Sequence, residues 1–234
     1  MIKKYRYCDD NVYKDDVFLA LSSQFKDNRE NFESFYSSLK DSELKDEFLR
    51  VGSMYLFFVN CGDWHVDVAR SKSAIDYLTN SFKLVALLAI IESLSEKDNV
   101  DFFDWLLEQG RGDLFPIADK TQLKMLYGEY KSEYGSIRKC RSFFNDLSPA
   151  TKDKLCKSIT IDGKALQSID KFVTMIYDVR SQFAHDIAAV LEISNSWCFS
   201  KEGNKKVRWN LSMASMECAF EEGILVHLKG KLVT

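Results

Sequence analysis

The stretch "FVTMIYDVRSQFAHD", Phe172 to Asp186, decides how the rest of this chain is read. Phe172, Ile176, Val179 and Phe183 recur at steps of three and four, and Ile187 and Val190 continue the series. That spacing returns to one side of an α-helix, so a helix is predicted from about Ser168 to Ile193 with a narrow core-facing stripe. The other side carries Arg180 and His185; the chain's remaining histidines are His65 and His227. At about 100° per residue the pair stands about 140° apart, at the two margins of a face whose middle is Tyr177, Ser181 and Ala184. Such a pair does not meet along one ridge as an i, i+4 pair does. The small side chains between them leave room for a second helix or a phosphate backbone.

Upstream, "IDYLTNSFKLVALLAIIESLSEK" (Ile75 to Lys97) reads as a strong helix, apolar nearly all round from Leu84 to Ile91 and so expected to be central and buried. Val17 to Lys40 reads as one or two amphipathic helices. Asp41 and Ser42 are N-cap residues for a helix running into "LRVGSMYLFFVN", with Glu43 in its first turn. "NCGDWH" (Asn60 to His65) breaks the pattern, and a soft boundary is placed near residue 75. "VDFFDWLLEQG" is a shorter helix ending at Gly110, followed by the loop "RGDLFPIADK". A bend is expected at Gly128 or Gly135. Ser148 and Pro149 together mark a helix start. Beyond the signature helix, "SWCFSKEGNKKVRWNLS" predicts two short strands around a Glu202-Gly203-Asn204 turn, and "MASMECAFEEGILVHLKG" a last amphipathic helix.

The composition is that of a globular protein: 234 residues, 46% hydrophobic and 29% charged, with two prolines and ten glycines. Scarce proline and long periodic stretches favour an all-α fold. A net charge of −3 argues against a globally basic nucleic-acid binder and leaves a local basic groove open. Cysteines 8, 61, 140, 156, 198 and 218 lack the CxxC spacing of zinc or redox sites. No signal peptide is read at the N-terminus, so reduced thiols in the cytoplasm are expected. The longest apolar run, Leu84 to Ile91, is far short of the ~20 residues that span a bilayer.

The signature stretch resembles the R-x4-H helix of the HEPN superfamily. The match extends beyond the spacing: an aliphatic-Tyr-x-aliphatic-Arg-Ser run and an apolar residue two before the histidine look like the Apea-like HEPN group. In that group a preceding helix carries an aliphatic run into Glu and Leu, and "LLAIIESLSEK" places Glu92 there. The resemblance covers roughly residues 75–234 and leaves residues 1–75 as an added N-terminal helical segment of unknown role. In nuclease members the arginine is often followed by Asn, Asp or His, and the histidine by Gly. Here the following residues are Ser181 and Asp186.

The resemblance implies a HEPN-like helical bundle and a metal-independent endoribonuclease without a cofactor. It also implies a homodimer whose two signature helices face one cleft, often as a toxin or anti-phage defence effector held by an antitoxin or other regulatory protein. Arg180 and His185 are then the catalytic pair, with Tyr177, Ser181 and Glu92 in support. The residue types suit that chemistry. A neutral histidine takes a proton from an RNA 2′-OH near pH 7, and an arginine holds the attacked phosphate bidentately. The competing expectations are a non-catalytic HEPN module that binds RNA or a protein through the same cleft, and a helical interaction protein outside the superfamily. Glu92 reads equally as a site residue or as a carboxylate on the solvated margin of its helix. His65 with Cys61 and Asp63 reads as a structured loop, His227 as packing, Asp186 as solvated, and the lysines of "KEGNKKVR" as turn residues able to reach phosphates.

Overall fold

Local chemistry fixes several helix starts. Asn28 accepts hydrogen bonds from the amides of Glu30 (2.7 Å) and Asn31 (3.2 Å), Asp41 from Glu43 (3.0 Å), and Ser148 from Thr151 (3.3 Å) with Pro149 at the first helical position. Each side chain satisfies an amide that the helix itself leaves unpaired. In this computed structural model the described residues are 6–62, 74–94, 102–108, 120–186, 192–194 and 197–231, with the side chains of 74–78, 107, 108, 120, 185 and 186 outside that description. The helices are α1 (Val12–Leu21), α2 (Arg29–Ser38), α3 (Ser42–Tyr55), α4 (Ala74–Ser93), α5 (Phe102–Glu108), α6 (Lys120–Tyr134), α7 (Ser136–Asn145), α8 (Pro149–Lys157), α9 (Ile169–Asp186) and α10 (Met213–Lys231). Val17–Lys40 thus holds parts of two helices, and α3 runs on through a wide turn at Leu56–Asn60 before the Asn-Cys-Gly break.

The chain is mostly helical, but it carries a four-stranded antiparallel sheet rather than a single hairpin. The strands are β1 (Ile159–Ile161), β2 (Lys164–Ala165), β3 (Cys198–Glu202) and β4 (Lys205–Trp209), in the order β2-β1-β4-β3. The expected hairpin is present as β3–β4, pairing Cys198 with Trp209 and Glu202 with Lys205 around Gly203, whose φ is +60°. The unexpected one is β1–β2. Its Asp162-Gly163 turn has φ of 49° and 81°, the double positive φ that a two-residue hairpin turn demands. The signature helix is described as far as Asp186, the expected stripe residues Ile187 and Val190 lie outside the described residues, and Ile193, its expected end, is not helical. By Ile193 the chain pairs in parallel with Leu211 instead of continuing as helix, and Asn80 donates to the Ile193 carbonyl (2.9 Å). Of the two glycines expected to bend the chain, Gly135 separates α6 from α7 and Gly128 lies within α6. The loop 109–119, with Gly110, lies outside the described residues.

One buried apolar cluster gathers Val17, Phe48 and Tyr55 from α1 and α3, Leu84 and Leu88 from α4, Phe172 and Ile176 from α9, and Phe220 and Ile224 from α10. The residues on either side of the soft boundary near 75 therefore contribute to one core. A second small cluster joins Trp105 and Leu106 of α5 to Leu126 of α6. Glu221, buried on α10, accepts from the Tyr55 hydroxyl (2.8 Å), the Ser23 hydroxyl (2.9 Å) and the Gln24 amide (3.4 Å). These bonds offset the cost of burying a carboxylate and tie the N-terminal segment to the last helix. Burial, and then the Glu221 charge, push the Tyr55 phenol far above its ordinary value. Among the described residues no helix is long and apolar enough to cross a membrane.

The close crossing of α1 and α3 supplies a sharp test. A Cβ on Gly52 would stand 2.7 Å from both methyls of the fully buried Val17. Gly52→Ala is expected to destabilise by about 1–3 kcal/mol through overpacking, which outweighs alanine's helical advantage of ~1 kcal/mol. Gly128→Ala, with nothing within 4 Å of the added carbon, is expected to stabilise instead. Thermal melts of the two variants showing shifts of the same sign would contradict this packing.

Candidate functional site

Three helices meet around the arginine of the signature stretch. α7 and α4 both pack on α9 and on one another. From α7 comes Cys140, which is fully buried, and from the last turn of α4 comes Glu92. From α9 come Tyr177 and Arg180, one turn apart, with the guanidinium carbon 5.3 Å from the centre of the tyrosine ring. Tyr177 is half-buried and packs on the core, and Ser136, the first residue of α7, hydrogen-bonds its hydroxyl.

Glu92 and Arg180 both lie near enough to Cys140 and Tyr177 to act on them electrostatically. Burial first and the Glu92 charge second push the Cys140 thiol up to about 12, against the opposing pull of Arg180 and Lys139. Burial likewise raises the Tyr177 phenol, followed by the Glu92 charge, while Ser136 and Arg180 pull it back. Glu92 and Arg180 thus act on the same two neighbours from two helices, although no direct ion pair joins them among the described residues. The Glu92 Oε1 and the Arg180 Nε are both buried with no hydrogen-bond partner among the described residues. A buried polar atom without a partner costs about 1–3 kcal/mol.

Glu92 is half-buried, with its Oε1 shielded from solvent. Arg180 is half-buried where α4, α7 and α9 pack together. Ser181 is half-buried and Ala184 exposed, so the small middle of the face lies where the wheel placed it. His185 sits in the last turn of α9, five positions after Arg180, and its side chain is outside the described residues. Phe183 is only half-buried and meets the partly exposed Phe82 of α4 edge-on, at 5.1 Å and 84°. Of the compact Cys61-Asp63-His65 group, Cys61 is exposed and the other two lie outside the described residues.

The α7 contribution was missed from the sequence. Arg141 donates to the Thr174 hydroxyl on α9 (3.0 Å), and its Nε is a further buried nitrogen without a partner among the described residues. Ile137, Cys140, Arg141 and Phe144 follow the i, i+3, i+4, i+7 rule of one helical face. That face could have been drawn, but nothing in it pointed to α9.

The environment of Cys140 makes a chemical prediction. With its thiol held near 12, almost none is thiolate at pH 8, and thiolate is the form that reacts. In the folded protein Cys140 is expected to resist iodoacetamide while the exposed Cys61 and Cys218 are alkylated. Peptide mass spectrometry that found Cys140 labelled as fast as Cys218 would show that this helix junction opens.

The chain matches no family model, no curated protein and no solved structure.

Proposed function

We propose that this protein is a HEPN-type endoribonuclease that cuts RNA without a metal ion. The observation that carries the proposal is that Glu92 and Arg180, from two helices, both act on Tyr177 and Cys140 where α4, α7 and α9 pack together, each with a buried polar atom that has no hydrogen-bond partner among the described residues. The HEPN resemblance pairs those two positions, and they stand more than eighty residues apart in the chain.

In the proposed reaction His185 takes the proton from a ribose 2′-OH. The freed oxygen attacks the adjacent phosphorus, and the 5′-oxygen of the next nucleotide leaves and is protonated. One product ends in a 2′,3′-cyclic phosphate and the other begins with a 5′-OH. Arg180 binds the phosphate and stabilises the charge that grows on its oxygens. Glu92 is a positioning residue that biases the guanidinium through the shared junction, and Tyr177 supports it from the ring face. Two signature helices in a homodimer would bring a second Arg180–His185 set to the same phosphate, so acid and base can come from different protomers. A toxin or anti-phage role in the cytoplasm, restrained by an antitoxin or other regulator, belongs to the same proposal.

One observation favours the second reading, a module that binds RNA or a protein without cutting. Arg180 lies against Tyr177 with its Nε buried, as a packing residue does. The two readings separate when purified protein is incubated with mixed RNAs in EDTA. Cleavage supports the nuclease. Binding of the same RNAs with every strand left whole supports the module.

A further inference from the structure

The sheet has two unlike faces. Residues directly opposite in antiparallel strands share a face. On the inner face Ile159, Val207 and Trp209 are buried in the core, and the Trp209 indole donates to the Ser200 hydroxyl (2.8 Å). On the outer face β3 presents Phe199 and Lys201, while β4 presents Arg208 and Lys206 opposite them. Trp197, two residues before Phe199, continues that row.

Two large aromatic rings are exposed on this outer face, Trp197 at 57% and Phe199 at 48%. They stand edge to face with centroids 5.1 Å apart. Lys206 lies over Phe199, its ammonium 4.0 Å from the ring centre, and Arg208 lies over Trp197 at 5.6 Å. Lys201 and Lys206 are directly opposite in the ladder. Like charges in that position are unfavourable unless an anion sits between them. None of Lys201, Lys206 and Arg208 has a carboxylate partner among the described residues. Glu202, the hairpin's acid, is committed to Lys171 of α9 at 2.5 Å. Asp162, beside the hairpin, accepts the Lys206 amide (2.9 Å). β3 is an edge strand of the described sheet.

We propose that the outer face of the β3–β4 hairpin, Trp197, Phe199, Lys201, Lys206 and Arg208, is a docking platform for single-stranded RNA. Exposed rings interleaved with free cations are what unpaired bases and their phosphates require together: the rings stack bases and the cations follow the backbone. A duplex hides its base faces and offers only phosphates. The choice of RNA over DNA rests on the nuclease reading; the stacking geometry does not. The platform deepens that reading by naming the substrate as an unpaired strand.

The test uses wild-type protein and a fluorescein-labelled 2′-O-methyl RNA of mixed sequence, which lacks the attacking hydroxyl and cannot be cut by the proposed route. Anisotropy titrations are run beside single-stranded DNA and duplex RNA of the same sequence. Replacing Trp197 and Phe199 together by alanine is expected to weaken single-strand binding about a hundredfold, roughly tenfold per ring, and to leave duplex binding little changed. Trp197→Phe with Phe199→Tyr should restore most of the affinity, which a folding defect would not do. Removing Lys206 and Arg208 should flatten the slope of log affinity against log salt by about 1.4.

Unchanged single-strand affinity in the double-alanine variant overturns the platform, and so does an equal loss on duplex RNA. Binding confined to DNA overturns its assignment to RNA. A wild type that binds none of the strands, but whose mass by light scattering halves when Phe199 becomes lysine, overturns it in favour of a second copy of the chain. The two proposals fail separately. Ring-dependent binding with no cleavage of ordinary RNA leaves the platform standing and removes the nuclease. Cleavage indifferent to both rings does the reverse.

Discussion

Arg180→Ala and His185→Ala are each expected to lower RNA cleavage by about a hundred- to a thousandfold. Proton transfer by a placed side chain contributes about 10²–10⁴ in rate, and a charge-stabilising donor aimed at a developing oxyanion about 10²–10³. The two losses should not multiply in the double variant, because both residues serve one transition state. Arg180→Lys keeps the charge but loses the planar fork, and most of the activity should go with it. The variants should differ in stability. Arg180 is half-buried over Tyr177, so its truncation removes packing as well as charge. Initial rates on a labelled RNA, with circular-dichroism melts of each variant, read both effects. Full activity in folded Arg180→Ala protein would leave the arginine as a packing residue only.

Phe172→Ala is expected to be the most damaging of the changes named for the core. Phe172 is fully buried near the start of the apolar stripe of α9 and meets the Phe144 ring at 5.8 Å. Truncating such a ring costs about 3–5 kcal/mol, the lost transfer energy plus the cavity left behind. For a chain of this size that is a fall of about 6–20 °C in Tm. Phe183→Ala, further along the same stripe, should cost less, because Phe183 is half-buried and its neighbour Phe82 is 42% exposed. A melt in which Phe183→Ala was the worse of the two would mean that the far end of α9 is covered by something the monomer does not contain.

Periodicity made the helices legible because a helix advertises its buried face along its own sequence. Phe172, Ile176 and Val179 were read as core and are core. Ser148-Pro149 and Asp41 were read as starts and cap as expected. The β1–β2 hairpin was passed over although Asp162-Gly163 carries a strong turn signal, because strands of three and two residues are too short to alternate visibly. The expected end of α9 at Ile193 was overread for the opposite reason: the apolar rhythm reaches that residue, yet it is taken by a bridge to Leu211, a contact no local pattern encodes. In the candidate site, Arg180 and Glu92 were found through a resemblance, while Cys140, Ser136 and Arg141 were missed. Their part depends on which face of α7 meets α9, and that is a property of packing rather than of spacing.

The central claim is tested most directly by the ends of the cut strands. Full-length protein is incubated with RNA in excess EDTA, and the products are resolved by mass spectrometry. The account predicts fragments ending in 2′,3′-cyclic phosphate paired with fragments beginning in 5′-OH, lost in His185→Ala. Cleavage that appears only when magnesium is restored, leaving 5′-phosphate and 3′-OH ends, would contradict it.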